Sequence, residues 1–456
     1  MKKIIDQYAS FKDPAARVFY LDEHPDFIFR ELSPSYISHY NHFRNSGLAE
    51  ELINKNWLIP FQQDTGIADN AIILRAKKIN FVSWPYEWSF NQWKDAALLT
   101  LKIQYQCLKY GMILKDATPF NIIFDGNRPL FTDLSSFELY SDGEPWKALK
   151  QFTECFYAPL LLMKYFDATA NELFFGNMSG ISLQKVSKLL PARALLNFNT
   201  LLFLIMPGSL SDKLPVNESK KHTRALTKEK IMNISQQLFA AIDKIHQSNQ
   251  ATKWNNYYEK DTTDIYRNEK EAIIKQWTKN NCQEKTVIDF GCNTGHFSKL
   301  IATDVKSVIA FDSDIKSVDE LYLYCKKNKI ESISSLTANI CQPTPANGWD
   351  NKEKDSLKAR LKADTGIALA LVHHLAISNY ISFEKMRDFF ADCCKDIFIE
   401  FIPKADEKVK LLLLNREDIF DWYTIENFAD TFQIKFELSK KHVFSNNRVL
   451  YHFKKN

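Results

Sequence analysis

Three groups of residues in this 456-residue chain have the types and spacing for chemistry. The first lies in TVIDFGCNTGHFSKLIATDVKSVIAFDSD, from Thr286 to Asp314. Residues 286–290 are a short apolar run with the acid Asp289 at its end, the pattern of a buried strand. Gly291, Asn293 and Gly295 make a turn of residues that tolerate unusual backbone angles. Residues 296–302 carry helical apolar spacing, and a second strand over 308–311 ends on Asp312. Small residues let a backbone approach a ligand, and the amino end of a helix points N–H groups at it. An acid about 20 residues on can bind ribose hydroxyls. Asp289 would repel a pyrophosphate, and the turn is not G-x-G-x-x-G, so a cationic ligand with an amino group and a sulfonium suits it better than a dinucleotide. A plain structural unit, or one for another nucleotide, is the competing account.

The second group is Asp116, Asn121 five residues later, and Asp133, set around a hairpin expected at Asp125-Gly126. The third is His373-His374, directly after an apolar strand expected over 367–371, with Glu400 at the end of the next strand, 397–401. A neutral imidazole can take the proton of a hydroxyl or amine. A helix-capping or core histidine pair, and an interior ion pair for Glu400, are the bland alternatives. No C-x-x-C and no third clustered ligand points to a metal.

Asp289-Phe290-Gly291-Cys292-Asn293-Thr294-Gly295 resembles the first motif of class I S-adenosylmethionine (SAM)-dependent methyltransferases, and Asp312 matches the acid that holds the SAM ribose there. The resemblance implies a cofactor set of Asp289, Gly291, Cys292, Asn293, Gly295, Phe297, Asp312, Ser313, Asn339 and Val372. Asn339 stands where an Asp commonly meets the adenine amino group, and accepts that bond less strongly. Residues after the fourth strand sit beside the transferring methyl in that family, which makes His374, His373 and Glu400 the catalytic candidates. The Asp116-to-Asn121 spacing resembles the catalytic loop of protein-kinase-like folds, where the first Asp orients an acceptor hydroxyl while the Asn and a second Asp hold magnesium. The departures are the lack of a Gly-rich loop before Arg30, Arg30 in place of the strand lysine, and Asp133-Leu134-Ser135 in place of D-F-G. They imply a kinase-like scaffold with a relic site, in which Asn121 and Asp133, with Asp116, bind metal and ATP/Mg only if the site is active. PYEWSF (85–90), LKDATPFNIIF (114–124), DFGCNTGHFS (289–298), ALVHHLAIS (370–378) and IEFIPK (399–404) together resemble a bacterial methyltransferase group that includes nodulation-protein relatives.

The elements that must position these residues follow the same reading. A hairpin is expected over 17–32 with its turn at His24-Pro25-Asp26, a helix over 35–57, strands over 71–76 and 79–83, and a long amphipathic helix over 91–110 stopped by Gly111. Helical segments are expected over 146–166, 197–206 and 227–249, with a polar loop over 207–222. Residues 254–263 read as a lid or linker and 264–280 as the helix entering the sheet. Further on come helices over 315–327, 350–362 and 415–432, a third strand over 333–337, and a closing hairpin of 435–443 with 448–453. The fold expected is α/β: a seven-stranded Rossmann-like SAM-methyltransferase domain over 265–456, a kinase-like α+β domain over 1–250, and a linker or lid over 251–264.

Length favours two domains, and 45% hydrophobic with 25% charged residues is a globular, soluble composition. A net charge of +4 gives no case for nucleic acid, and no apolar run reaches membrane-spanning length. The amino end lacks the apolar stretch of a signal peptide, and eight cysteines without C-x-x-C read as reduced thiols, so a cytoplasmic location is expected. The expected activity is methyl transfer from SAM to an oxygen or nitrogen of an acceptor: small molecule, glycan or peptide. The amino-terminal half would help bind it. A bifunctional kinase–methyltransferase, a non-catalytic SAM-binding scaffold and an enzyme transferring another part of SAM are the alternatives.

Overall fold

A computed structural model describes residues 4–67, 71–166, 170–207, 227–247, 264–414 and 416–456. The chain divides into two compact units: Met1–Gln250 with Asn347–Lys354, and Ala251–Ala346 with Asp355–Asn456. The lid or linker expected before Asp264, and most of the polar loop over 207–222, lie outside the described residues.

The first unit carries a five-stranded antiparallel sheet of β1 (Ile4–Asp6), β2 (Ala16–Leu21), β3 (Phe27–Leu32), β4 (Phe61–Asp64) and β5 (Ile73–Lys77), ordered β1-β2-β3-β5-β4. The expected hairpin is β2–β3, and Phe19 stacks on Phe29 across it with ring centres 5.6 Å apart. The single helix expected over 35–57 is two, Ile37–Asn45 and Leu48–Asn54. Gly47, at φ +85°, turns the chain between them. The strand expected over 79–83 does not form; β4 takes the edge instead. Its Gln62 and Gln63 face solvent, which leaves little apolar pattern to read.

The long helix is Phe90–Lys109, opened by Gln92, whose Oε1 accepts the Ser89 N–H at 2.9 Å. Behind it come β6 (Met112–Leu114), β7 (Ile122–Asp125), β8 (Arg128–Phe131) and β9 (Phe137–Leu139), paired as β6–β9 and β7–β8. Helices follow at Leu149–Phe152, Ala158–Phe166 and Lys228–Asp243, with π-helical turns at Thr153–Tyr157 and Leu201–Ile205.

The helix expected over 350–362 is absent. Gly348, Asp350 and Asn351 all have φ near +55° to +86°, so Trp349–Asn351 is one tight turn. Buried Glu353 fixes it by accepting the Trp349 N–H at 2.7 Å and pairing with Lys12 at 2.7 Å. Only Leu357–Arg360, beyond that turn, is helical.

The second unit is built on β10 (Thr286–Phe290), β11 (Ser307–Asp312), β12 (Ile333–Thr337), β13 (Ala363–Ala368), β14 (Cys394–Phe401), β15 (Phe436–Val443) and β16 (Val449–Lys455). Their order is β12-β11-β10-β13-β14-β16-β15, parallel from β12 to β14 and antiparallel at β14–β16 and β15–β16. The central strands are apolar on both faces, as helices cover both. Val287, Val308, Ile367 and Phe398 of the sheet pack with Ile274 and Trp277 from the Asp264–Asn281 helix. The fourth strand ends at Ala368, earlier than the 367–371 expected, and starts at Ala363. A continuous apolar run hides that end; the chain leaves the sheet because Ala370 takes φ +50°. Helices occupy Ile315–Asn328, Phe383–Cys393, Glu407–Leu413, which has no counterpart in the expected elements, and Ile425–Gln433. Among the described residues no helix is long and apolar enough to cross a membrane.

Candidate functional site

A cavity of about 330 Å³ opens at the carboxyl ends of β10 to β13. It is lined in part by Gly291, Asn293, Asp312, Ser313, Asn339 and His374. The β10 turn is shaped by two left-handed glycines with Asn293 between them at φ +51°. A Cβ on Gly295 would sit 2.4 Å from Leu321, and one on Gly291 would press Leu371 at 3.3 Å. The N–H groups of Gly291 and Cys292 both donate to the Phe311 carbonyl, which clamps the turn to β11.

Asp312 ties the two motif strands together. Its Oδ2 accepts the Asn293 N–H at 2.8 Å and its Oδ1 the Asp314 N–H at 2.9 Å. A carboxylate offers about four acceptor sites, so capacity remains beyond its backbone donors at the cavity wall. Burial raises the Asp312 pKa, partly offset by the backbone N–H groups of Asp314, Asn293 and Ser313. Asn339 lines the same cavity, with its Oδ1 bonded to the Cys341 N–H at 2.9 Å.

Other candidates stand behind this wall rather than in it. Asp289 is buried and accepts a hydrogen bond from Ser298 Oγ at 2.5 Å. Burial, together with the Asp312 charge, lifts its pKa to about 6 despite that bond. Cys292, Phe297 and Val372 are core side chains, and Gly295 acts through its backbone shape. Among the catalytic candidates only His374 reaches the cavity. It starts a π-helical turn, His374–Ser378, and burial followed by the Lys408 charge lowers its pKa to about 4, so it is neutral at pH 7. His373 is fully buried with its ring 4.1 Å from that of His374, and neither of its ring nitrogens has a hydrogen-bond partner.

Glu400 faces inward. It is wholly buried and bonded to Lys270 at 2.6 Å, to the Ala370 N–H at 2.8 Å and to the Tyr266 hydroxyl. The interior ion pair, not the acceptor-pocket position, is what the structure holds. Sequence reasoning missed Leu369, Ala370 and Leu371, which line the cavity. Their only signal was a place just past an apolar strand whose end was set too late.

In the first unit Asp133 lies near Asp116 and Asn121, but its bonds are spent. Arg30, from β3, donates to Asp133 and, at 2.5 Å, to Ser135 Oγ. Ser136 Oγ donates to Asp133 at 2.6 Å and accepts from Asn121 Nδ2 at 3.1 Å. Lys115 pairs with Asp13 at 3.2 Å. Burial alone would raise the Asp133 pKa; Arg30 and the two serine hydroxyls bring it to about 2. Burial raises that of Asp116. Among the described residues no group of three or more His, Cys, Asp or Glu is placed to hold a metal.

A mainly parallel seven-stranded sheet of this order, with a cavity over the ends of its first four strands, defines a Rossmann-like α/β unit with ligand space at its strand ends. No protein-family model matches the chain. It is 30% identical to nodulation protein NoeA of Rhizobium meliloti (strain 1021), over 98% of this chain and 95% of that protein. The chain belongs to the family of nodulation protein NoeA. Among solved structures it is similar to PH0226 of Pyrococcus horikoshii OT3, at TM-score 0.33 and 12% identity over 44% of this chain and 96% of that one. The N-methyltransferase NodS of Bradyrhizobium japonicum WM9 matches at TM-score 0.31 and 10% identity, over 42% and 97%. WbdD matches at TM-score 0.31 and 15% identity, over 48% and 46%.

Proposed function

We propose that the second unit binds SAM and that the protein transfers its methyl group to an oxygen or nitrogen nucleophile. The observation that carries this reading is Asp312, which holds unspent acceptor capacity on a cavity wall shared with a clamped glycine turn. A ribose needs such an acceptor, and the adenosine-sized fit is served by about 330 Å³ of space. When bound, SAM supplies a methyl already activated on a sulfonium. The chain's own work is then to orient and to exclude water. Gly291 and Asn293 give backbone access, Asp312 takes the ribose hydroxyls, and Asn339 stands at the adenine end. Asp289 supports the turn from below through Ser298 and adds negative charge beneath a cationic ligand.

His374 is the cavity group suited to take a proton from the acceptor, since its imidazole is neutral. Its low basicity limits it to a proton that leaves as the bond forms. Residues 265–346 with 355–456 would form the donor-binding domain. Residues 1–250 with 347–354 would form a kinase-like domain that binds the acceptor. A cavity of about 840 Å³ beside Asp6, Arg17, Glu31 and Trp349 in the first unit supports that role. Phosphotransfer is disfavoured because Arg30 neutralises Asp133. Isothermal titration with S-adenosylhomocysteine tests the reading: saturable one-to-one binding is expected, and its absence from the folded protein would sink the proposal. Methyl-labelled SAM with fractionated extracts then identifies the product and separates methyl transfer from transfer of another part of SAM.

A further inference from the structure

We infer that Glu400 is a positioning residue: it holds Ala370, and with it the lip of the cavity, in a left-handed backbone conformation. The inference rests on reading that cavity as the methyl-donor site. Ala370 lies two residues beyond the end of β13, lines the cavity, and has φ +50°. An alanine gains nothing intrinsic from that conformation, so its surroundings must impose it. The visible restraint is the Ala370 N–H, which donates to Glu400 Oε2 at 2.8 Å. The next residue, Leu371, abuts the motif turn, since a Cβ on Gly291 would meet it at 3.3 Å. A shift at Ala370 therefore moves one wall of the donor cavity against the other.

Glu400 comes from the neighbouring strand, one residue past the Ala368–Ile399 register pair. Its carboxylate is buried and takes three donors: Ala370 N–H, Lys270 Nζ at 2.6 Å and the Tyr266 hydroxyl. The Tyr266 oxygen accepts in turn from Lys270 and from Arg448 Nη1, each at 3.2 Å. Arg448 is paired with Asp406 at 2.8 and 3.2 Å, so two cations and two anions balance. Buried ion pairs are often no more stabilising than apolar residues of the same volume. What an apolar pair cannot supply is an acceptor for the Ala370 N–H, and that bond is the feature tied to the cavity.

The test compares two double variants that both remove the charges. Lys270→Met with Glu400→Gln keeps a side-chain oxygen for Ala370; Lys270→Met with Glu400→Leu does not. Thermal unfolding establishes that each folds. Amide exchange at residues 369–371 is expected to be about tenfold faster in the Leu variant than in the Gln variant, and S-adenosylhomocysteine binding about tenfold weaker, the scale of one lost hydrogen bond. Equal exchange and equal affinity in the two variants would overturn the inference, because a purely structural pair does not distinguish them. If the unmutated protein binds no S-adenosylhomocysteine, the donor-site reading fails while the exchange comparison still decides the role of Glu400. Should the Leu variant not fold, the unmutated protein answers. An Ala370 N–H protected like the amides of β13 supports the restraint, and one exchanging like an exposed loop overturns it.

Discussion

Asp312 in the second unit closes a strand and Asp133 in the first follows one, and both sit in a motif that reads as ligand-binding. Their surroundings differ in kind. Asp312 is held by backbone N–H groups, which orient it without neutralising it, and it keeps acceptor capacity toward a cavity. Asp133 is held by a guanidinium and two serine hydroxyls, which both orient and neutralise it. Burial pushes both carboxyls upward; the arginine reverses the outcome for Asp133 and nothing reverses it for Asp312. The lesson is that an acid marks a binding site through the bonding capacity that folding leaves over, and its sequence spacing does not report that quantity.

The largest expected effect attacks the turn that keeps the Asp312 site open. Gly295→Val forces a side chain into φ +71° and onto Leu321, and should destabilise the second unit by about 2–4 kcal/mol. Thermal unfolding that stays within a degree of the unmutated protein would show the turn to be slack. Next comes Asp312→Ala, expected to weaken S-adenosylhomocysteine by about 1–3 kcal/mol, the cost of charge-assisted bonds to ribose. Unchanged affinity in titration calorimetry of the folded variant would erase the contrast between the two aspartates.

Arg30→Ala probes the other side at a smaller scale, about 1–2 kcal/mol of stability. The sign with pH is specific. Asp133 titrates near 2 in the folded chain against an ordinary 3.8, so its contribution is complete above about 4 and lost as pH falls toward 2. Acid unfolding curves should lose that component in the variant. An identical pH slope would mean the arginine does not hold Asp133. Sustained ATP turnover by the unmutated protein, abolished by Asp116→Asn, would show that the cluster is not a spent site at all.

Much of this was legible in residues alone, for identifiable reasons. The β10 turn and Asp312 carry local signals, since positive-φ positions select Gly and Asn, and an acid ending an apolar strand is visible in the sequence pattern. The β2–β3 hairpin and the long helix declare themselves by period and by caps. Glu400 could not be read, because its partners Lys270, Tyr266 and Ala370 lie 130, 134 and 30 residues away. Arg30 was visible as a misplaced cation, yet its pairing with Asp133 across 103 residues was not. The end of β13 was lost because Leu369 and Leu371 continue an apolar run, and only the backbone angle of Ala370 stops the strand.

The smallest expected effect concerns His374, the cavity residue whose charge would alter the comparison most. The ring is neutral because burial and Lys408 hold its pKa at about 4, against an ordinary 6.5. The folded chain therefore resists a proton that the unfolded chain accepts first. This contribution to stability is present above about 6.5 and lost as pH falls toward 4. Between pH 5 and 8 the His374 ring adds no cation to the cavity. A sulfonium ligand is then not repelled on acidification. Asp289, titrating near 6, should lower the ratio of SAM to S-adenosylhomocysteine affinity on acidification, and that fall should agree within about twofold between the unmutated protein and His374→Gln, since a group titrating near 4 is mostly neutral throughout. A ratio that inflects near 6.5, and no longer does so in His374→Gln, would place a titrating cation on the cavity wall and remove its clearest difference from the neutralised cluster around Asp133.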